Sequence, residues 1–151
     1  MAEAKVTMDE LRALVGKEEK SEVIEVEKSM IRRVAEAIAD PNPLWNDEAY
    51  AKQRGYRSLV APPGFLITAM VSGGRVDVTM PYKRMLAGGG EWEFYSPIMA
   101  GDVITCTCKL ADVYEREGKG GKMVFFVFET AHKNQKGELV AKSRTTLISL
   151  D

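Results

Sequence analysis

The residues best suited to chemistry crowd into one short stretch. From Asp40 to Asp47 the sequence is DPNPLWND, with two carboxylates, two prolines (Pro41, Pro43), an asparagine (Asn42) and a tryptophan (Trp45). Proline fixes φ, so a turn of this composition holds its side chains in place. A carboxylate held in this way can serve acid–base chemistry, and its usual companion is a histidine. Here the ring in the turn is an indole, whose N–H donates a hydrogen bond but cannot take up a proton. The only histidine, His132, lies far along the chain, near the end of an expected strand. To stand in as the base it must come within hydrogen-bond reach of the reacting group. Each residue also has a purely structural reading: Asp40 as the stop and cap of a helix before Pro41, and Trp45 as a core aromatic.

The other candidates are Cys106 and Cys108, the only two cysteines. At i and i+2 on a strand they point the same way, and a disulfide between them would be strained. Two thiols and one imidazole fall short of the four ligands that zinc favours. The expectation is free thiols, no metal and no cofactor, in a reducing, cytoplasmic setting.

The elements that must position these residues follow from periodicity and punctuation. Residues 8–15 are expected to form a short helix ended by Gly16. Alternation over 21–27 marks a strand. In KSMIRRVAEAIAD, Met30, Ile31, Val34, Ala35 and Ile38 share one helical face, and Pro41 stops that helix near Asp40. NDEAYAKQRG suits a second helix of about two turns, capped by Asn46 or Asp47 and ended by Gly55. Pro63 suits the first turn of a further helix over about residues 63–72. That segment is apolar on every side through Phe65, Leu66, Ile67, Ala69, Met70 and Val71, which predicts a buried central helix. The rest is expected to be strand. Ile104, Cys106, Cys108 and Leu110 share one face of a long strand, and Val103, Thr105, Thr107 and Lys109 the other. MVFFVFETAHKN is apolar on both faces in its first half, so it belongs in mid-sheet. Trp92 and Phe94 alternate on their strand and are read as packing, and the scattered methionines as soft core filling.

A strand, a buried helix and about four antiparallel strands make an α+β order. One wholly apolar helix on a strongly bent antiparallel sheet is the hot-dog arrangement. The 151 residues suit a single domain, 1–151, with 45% hydrophobic and 28% charged residues. A net charge of −1 argues against nucleic-acid binding. No apolar run is long enough to span a membrane, and the charged N-terminal stretch is not expected to be a signal peptide.

Four stretches in order, ADPNPLWNDEAYA, GYRSLVAPPGFL, WEFYSPIMAGDVIT and KGELVAKSRTTL, carry a family resemblance covering about residues 15–150. The chain resembles the MaoC-like (R)-specific enoyl-CoA hydratases and 3-hydroxyacyl dehydratases, in their FAS1-type N-terminal dehydratase branch. It is especially similar to the accessory subunits of two-subunit hydroxyacyl-ACP dehydratases, whose partner carries the catalytic pair. The family's motif is roughly Asp-x-Asn-Pro-x-His-x-Asp. Laid on this chain, it places the first Asp at Asp40, the Asn-Pro at Asn42 and Pro43, the final Asp at Asp47, and the His position at Trp45.

Hydration of an enoyl thioester needs a base for the attacking water, an acid for the α-carbon and donors for the thioester oxygen. In the family an Asp–His pair shares the first two tasks, and N–H groups at the start of the buried helix serve the third. The resemblance therefore implies a catalytic role for Asp40, vestigial here because Trp45 holds the His position. It implies acyl-thioester contacts from Asn42, Trp45, Val60, Pro63, Gly64 and Phe65. It also implies an acyl-CoA or acyl-ACP substrate, and a second MaoC-like subunit in a heterodimer or heterotetramer, or a homodimer of this chain. The leading expectation is a subunit of a heteromeric hydratase or dehydratase. Alternatives are a stand-alone hydratase using Asp40 without the usual His, and a non-enzymatic acyl-thioester binder. A hot-dog thioesterase is disfavoured, since no Asp or Glu lies between Gly64 and Gly74.

Overall fold

The computed structural model describes residues 5–68 and 76–151. Five strands form one sheet: β1 (Glu18–Glu25), β2 (Arg84–Phe94), β3 (Val103–Gly118), β4 (Gly121–Lys133) and β5 (Leu139–Leu150). Their order across the sheet is β1-β3-β4-β5-β2, and every neighbouring pair is antiparallel. β4 is the central strand, as its two-sided apolar run predicts. β3 alternates buried and half-buried positions from Val103 to Leu110, with Ile104, Cys106, Cys108 and Leu110 inward. Both cysteines are free and buried on that inner face.

The helices pack on the inner face and across its ends. α1 (Met8–Arg12) opens with a capping box in which Thr7 and Glu10 bond each other's backbone N–H. It is shorter than its expected span, and Gly16, at φ 83°, follows after a turn. α2 (Lys28–Ala37) buries Ile31 and Ala35, while Met30 and Val34 pack at the edge of the same cluster. Ile38, grouped with them by spacing, lies past the helix end and is half exposed. α4 (Glu48–Gln53) is capped by Asp47, whose carboxylate accepts from the Tyr50 N–H at 3.1 Å.

The central helix departs from expectation at its start. α5 (Phe65–Thr68) begins two residues after Pro63, because Gly64 sits at φ 83° and the Phe65 N–H bonds the Pro62 carbonyl in a turn. Gly64 is thus fixed by its left-handed backbone. Within α5, Phe65 and Leu66 are buried, whereas Ile67 is 51% exposed. The expected continuation to Ser72 lies outside the described residues.

Two apolar clusters form the core. One gathers Ile31, Trp45, Phe65, Leu66, Ile104 and Val140 under α2 and α5. The other gathers Leu11, Val76, Leu110, Val113 and Phe126 beneath α1. The strands wrapping these helices make the α+β hot-dog fold. Among the described residues, no helix is long and apolar enough to cross a membrane.

Candidate functional site

The turn from Asp40 to Asp47 is built by its own polar side chains. α2 ends in a reversed step: Ala39 takes φ 53° and the Asp40 N–H bonds back to the Ala35 carbonyl at 3.0 Å. For an alanine this left-handed geometry costs about 1 kcal/mol. The Asp40 carboxylate then accepts from the Asn42 N–H at 3.0 Å. Asn42 caps a short helix, α3 (Pro43–Asn46), by accepting from the Leu44 N–H at 3.0 Å. Asn46 donates to the carbonyls of Asp40 and Asn42, at 3.1 and 2.9 Å. Sequence reasoning missed α3, although Asn42 followed by Pro43 is a cap with proline at the first helical position.

This scaffold delivers Trp45 into the core, 6% exposed. Trp45 borders a cleft of about 340 Å³. Val60 to Pro63, Phe65 and Leu66 form one wall, and Phe94 to Ile98 form the other. The walls are stitched together by backbone bonds from the Ala61 N–H to the Ile98 carbonyl (2.7 Å) and from the Ala100 N–H to the Leu59 carbonyl (2.9 Å). A buried carboxylate clamps the same two segments from behind. Asp102, 4% exposed, accepts from Arg57 (2.6 Å), the Met99 N–H (2.8 Å) and Gln135 (3.0 Å). Burial alone would raise the Asp102 pKa, but these bonds and the Arg57 charge outweigh it and hold the carboxyl below its ordinary value.

Of the residues expected to contact substrate, Trp45, Val60, Pro63 and Phe65 line the cleft. Gly64 lies between two of them in the chain, and Asp40 and Asn42 sit in the half-buried turn that leads to Trp45. The far wall was not anticipated. Phe94, read as packing from its alternation, is 49% exposed and faces the cleft. The signal was the exposed apolar run at the end of an edge strand, closed by Pro97.

The cleft can hold an apolar chain but has little to move a proton with. Among its described lining residues there is no carboxylate, imidazole, thiol or amine. Its one phenol, Tyr95, donates to Glu93 at 2.6 Å, and that bond, helped by desolvation and the Glu93 charge, raises its pKa. His132 lies elsewhere. It is fully buried, with Nδ1 3.1 Å from Cys106 Sγ and Nε2 3.4 Å from Ser143 Oγ, and it stacks on Trp92 at 5.3 Å. Burial pushes its pKa down to about 4, so it is neutral at ordinary pH. Cys106 is pushed up to about 12 by burial and, less, by the Glu22 charge, and is an unreactive thiol. The Phe65 N–H, a candidate donor to a thioester oxygen, is already bonded to Pro62. Conversely, Trp45 Nε1 is buried with no acceptor among the described residues. Leaving such a donor unpaired costs about 1–3 kcal/mol.

Comparison with known proteins gives the same picture of fold. The FAS1-like, dehydratase domain region matches residues 13–143. A UPF0336 protein of Thermobifida fusca is 35% identical over 132 residues, covering 84% of this chain and 84% of that protein. In the C-terminally truncated HadBC complex of Mycobacterium tuberculosis, a 3R-hydroxyacyl-ACP dehydratase, one chain superposes with a TM-score of 0.69 at 26% identity, covering 85% of this chain and 90% of that one. A chain of the ChsH1–ChsH2 complex of the same organism gives 0.74 at 23% identity, over 95% and 93%, a likeness of fold. With the match spanning nearly the whole sheet and the cleft beside it, the chain belongs to the FAS1-like dehydratase-domain family of hot-dog hydratases and dehydratases.

Proposed function

We propose that this chain is the acyl-thioester-binding subunit of a heteromeric (R)-type enoyl-thioester hydratase or 3-hydroxyacyl-thioester dehydratase, and that a MaoC-like partner supplies the Asp–His pair. The observation that carries this reading is the cleft itself: an apolar channel bordered by Trp45 where the family's motif has His, with no proton acceptor on its described lining. An indole cannot accept the proton of an attacking water. Loss of a general base alone costs roughly 10²–10⁴-fold in rate. Asp40 keeps the motif's position, but its carboxylate is engaged with the Asn42 N–H.

The edge of the sheet supports a partner. β2 pairs only with β5 among the described strands, and Met85, Leu86 and Phe94 along it, with Tyr95 just past its end, are 43–56% exposed. An open edge with apolar side chains is a template for a second sheet. The cleft opens at the end of that same strand, so a second hot-dog subunit docked there would close it. A copy of this chain can take that place when the partner is absent.

The test is hydration of enoyl-CoA substrates, followed as loss of the conjugated thioester absorbance. The chain is assayed alone and after co-purification with a MaoC-like protein carrying an intact Asp–His motif. Silence alone and turnover in the complex is the expected result. Brisk turnover by the chain alone would overturn the proposal.

A further inference from the structure

Two clefts sit at opposite ends of β2 and differ in chemistry. The cleft beside Trp45 lies at the Phe94 end, and no cationic side chain is among its described lining. A second cleft, of about 570 Å³, lies at the Arg84 end, between residues 79–84, the stretch at Lys5 and Val6, and the chain end at Leu150 and Asp151. Lys5, Lys83 and Arg84 bring three cations to it and Asp151 a carboxylate, in a chain whose net charge is −1. Lys5 Nζ lies 4.9 Å from the centre of the Tyr82 ring, Arg84 donates to the main-chain oxygen of Asp151, and Lys83 is exposed. Met80 and Tyr82 pack against the cluster around Leu110 and Phe126, so this cleft lies on the same inner side of the sheet as the first. At about 3.3 Å per residue, β2 sets the two clefts of one chain about 33 Å apart. Across the open edge of β2 they come together. Met85 and Phe94 pair with Ser149 and Ala141, which are fully buried, and so share the inner face, yet they are 43% and 49% exposed. Covering them takes a partner whose helices lie on that same side. A two-fold axis normal to the sheet does this and pairs the two edges antiparallel; a parallel pairing would turn the partner's inner face outward. Antiparallel pairing sets the Arg84 end of one chain beside the Phe94 end of the other.

We propose that this chain completes its partner's site in trans: Lys5, Lys83 and Arg84 bind a phosphate of the carrier arm whose acyl group occupies the partner's cleft. The proposal rests on the heteromeric thioester reading above, with a partner that shares the hot-dog edge. CoA and the phosphopantetheine of a carrier protein both carry phosphate on the arm that ends in the thioester. An apolar cleft of the kind seen beside Trp45 offers that phosphate no counter-charge. The ammonium and guanidinium groups of the second cleft do, and charge-assisted bonds to phosphate are among the stronger ones. This role needs no Asp–His pair. It gives a chain without a base at position 45 a share in the chemistry of its partner.

The experiment is steady-state hydration by the co-purified complex, with one enoyl group on three carriers: CoA, 4′-phosphopantetheine, and pantetheine, which has no phosphate. Wild type should favour the CoA over the pantetheine thioester in kcat/KM, and added salt should shrink the preference. Lys5→Ala/Lys83→Ala in this chain, with the partner unaltered, should cut that preference roughly three- to tenfold, as expected for two solvent-exposed ion contacts. Lys83→Arg, which keeps the charge, should retain it. The 4′-phosphopantetheine thioester assigns the contact: a retained preference places it at the phosphate next to pantetheine, and a lost one at the nucleotide phosphates of CoA. No preference for CoA in wild type, or a preference that the double variant leaves intact, would overturn the proposal while the complex still turns over. A complex without turnover on any carrier would instead sink the functional reading beneath it, and this proposal with it. Size-exclusion chromatography shows whether the double variant still holds its partner; if it does not, Lys83→Ala alone, on an exposed side chain, takes its place.

Discussion

Mild acidification should destabilise this protein through one residue. His132 is fully buried, and burial holds its pKa near 4 against an ordinary 6.5. The unfolded chain therefore binds a proton between these values that the folded chain refuses. Stability from this group is complete above pH 6.5 and is lost as the pH falls towards 4. At about 1.4 kcal/mol per pH unit, the gap from 6.5 to about 4 amounts to about 3 kcal/mol. Roughly 2 kcal/mol of it is gone by pH 5. That is a large share of the 5–15 kcal/mol typical of a domain.

The assay separates His132 from the carboxylates. Glu48 is held down to about 2 by hydrogen bonds from Lys28 and Lys52, and Asp102 lies below its ordinary value, so their contributions are lost only at lower pH. Urea unfolding at pH 7 and pH 5, at one protein concentration, isolates the imidazole. Wild type should lose about 2 kcal/mol, a midpoint shift of about 1 M. His132→Phe can still stack on Trp92 but cannot titrate, and should lose far less over the same interval whatever its starting stability. Equal losses in the two proteins would refute the reasoning, since the proton would then be taken up elsewhere.

Three further outcomes follow from the site. Ala39→Gly relieves the left-handed residue at φ 53° and should raise stability by about 1 kcal/mol in thermal or urea unfolding. Asp102→Ala strips acceptors from the Met99 N–H, Gln135 and Arg57; the half-exposed Arg57 can rehydrate, so the loss should be about 2–3 kcal/mol, with faster hydrogen exchange at Met99. Trp45→His restores a proton acceptor beside the cleft and should raise hydratase activity of the chain alone above the wild-type background; no gain would mean that the turn lacks more than its histidine.

Much of the fold was legible because half-buried strands have a period of two. β3 follows that pattern from Val103 to Leu110 without a break, and β4 announces its central place by being apolar on both faces. The start of α5 was not legible. Pro63 is compatible with a first helical turn, but Gly64 adopts φ 83°, a choice that proline and glycine permit without dictating. The second wall of the cleft was hidden for a different reason. Residues 94–99 meet residues 60–63 through the Ala61–Ile98 bond and the Val60–Met99 bridge, pairings across more than thirty positions that no local period encodes.

The motif turn was legible in composition but ambiguous in meaning, and its geometry explains why. Asp40, Asn42, Asn46 and Asp47 each hold a backbone group, so the turn's shape is set by side chains other than the one at position 45. The backbone of Trp45 contributes an N–H to the Asn42 carbonyl, which any residue but proline would do. Its side chain is therefore free to vary within the space that the core and cleft provide. Here the tryptophan fills the apolar cluster with Phe65, Leu66 and Ile104, and its N–H finds no acceptor among the described residues. Scaffold and chemistry are thus separable at this turn. Sequence patterns that record the scaffold therefore match this turn whichever ring stands at position 45.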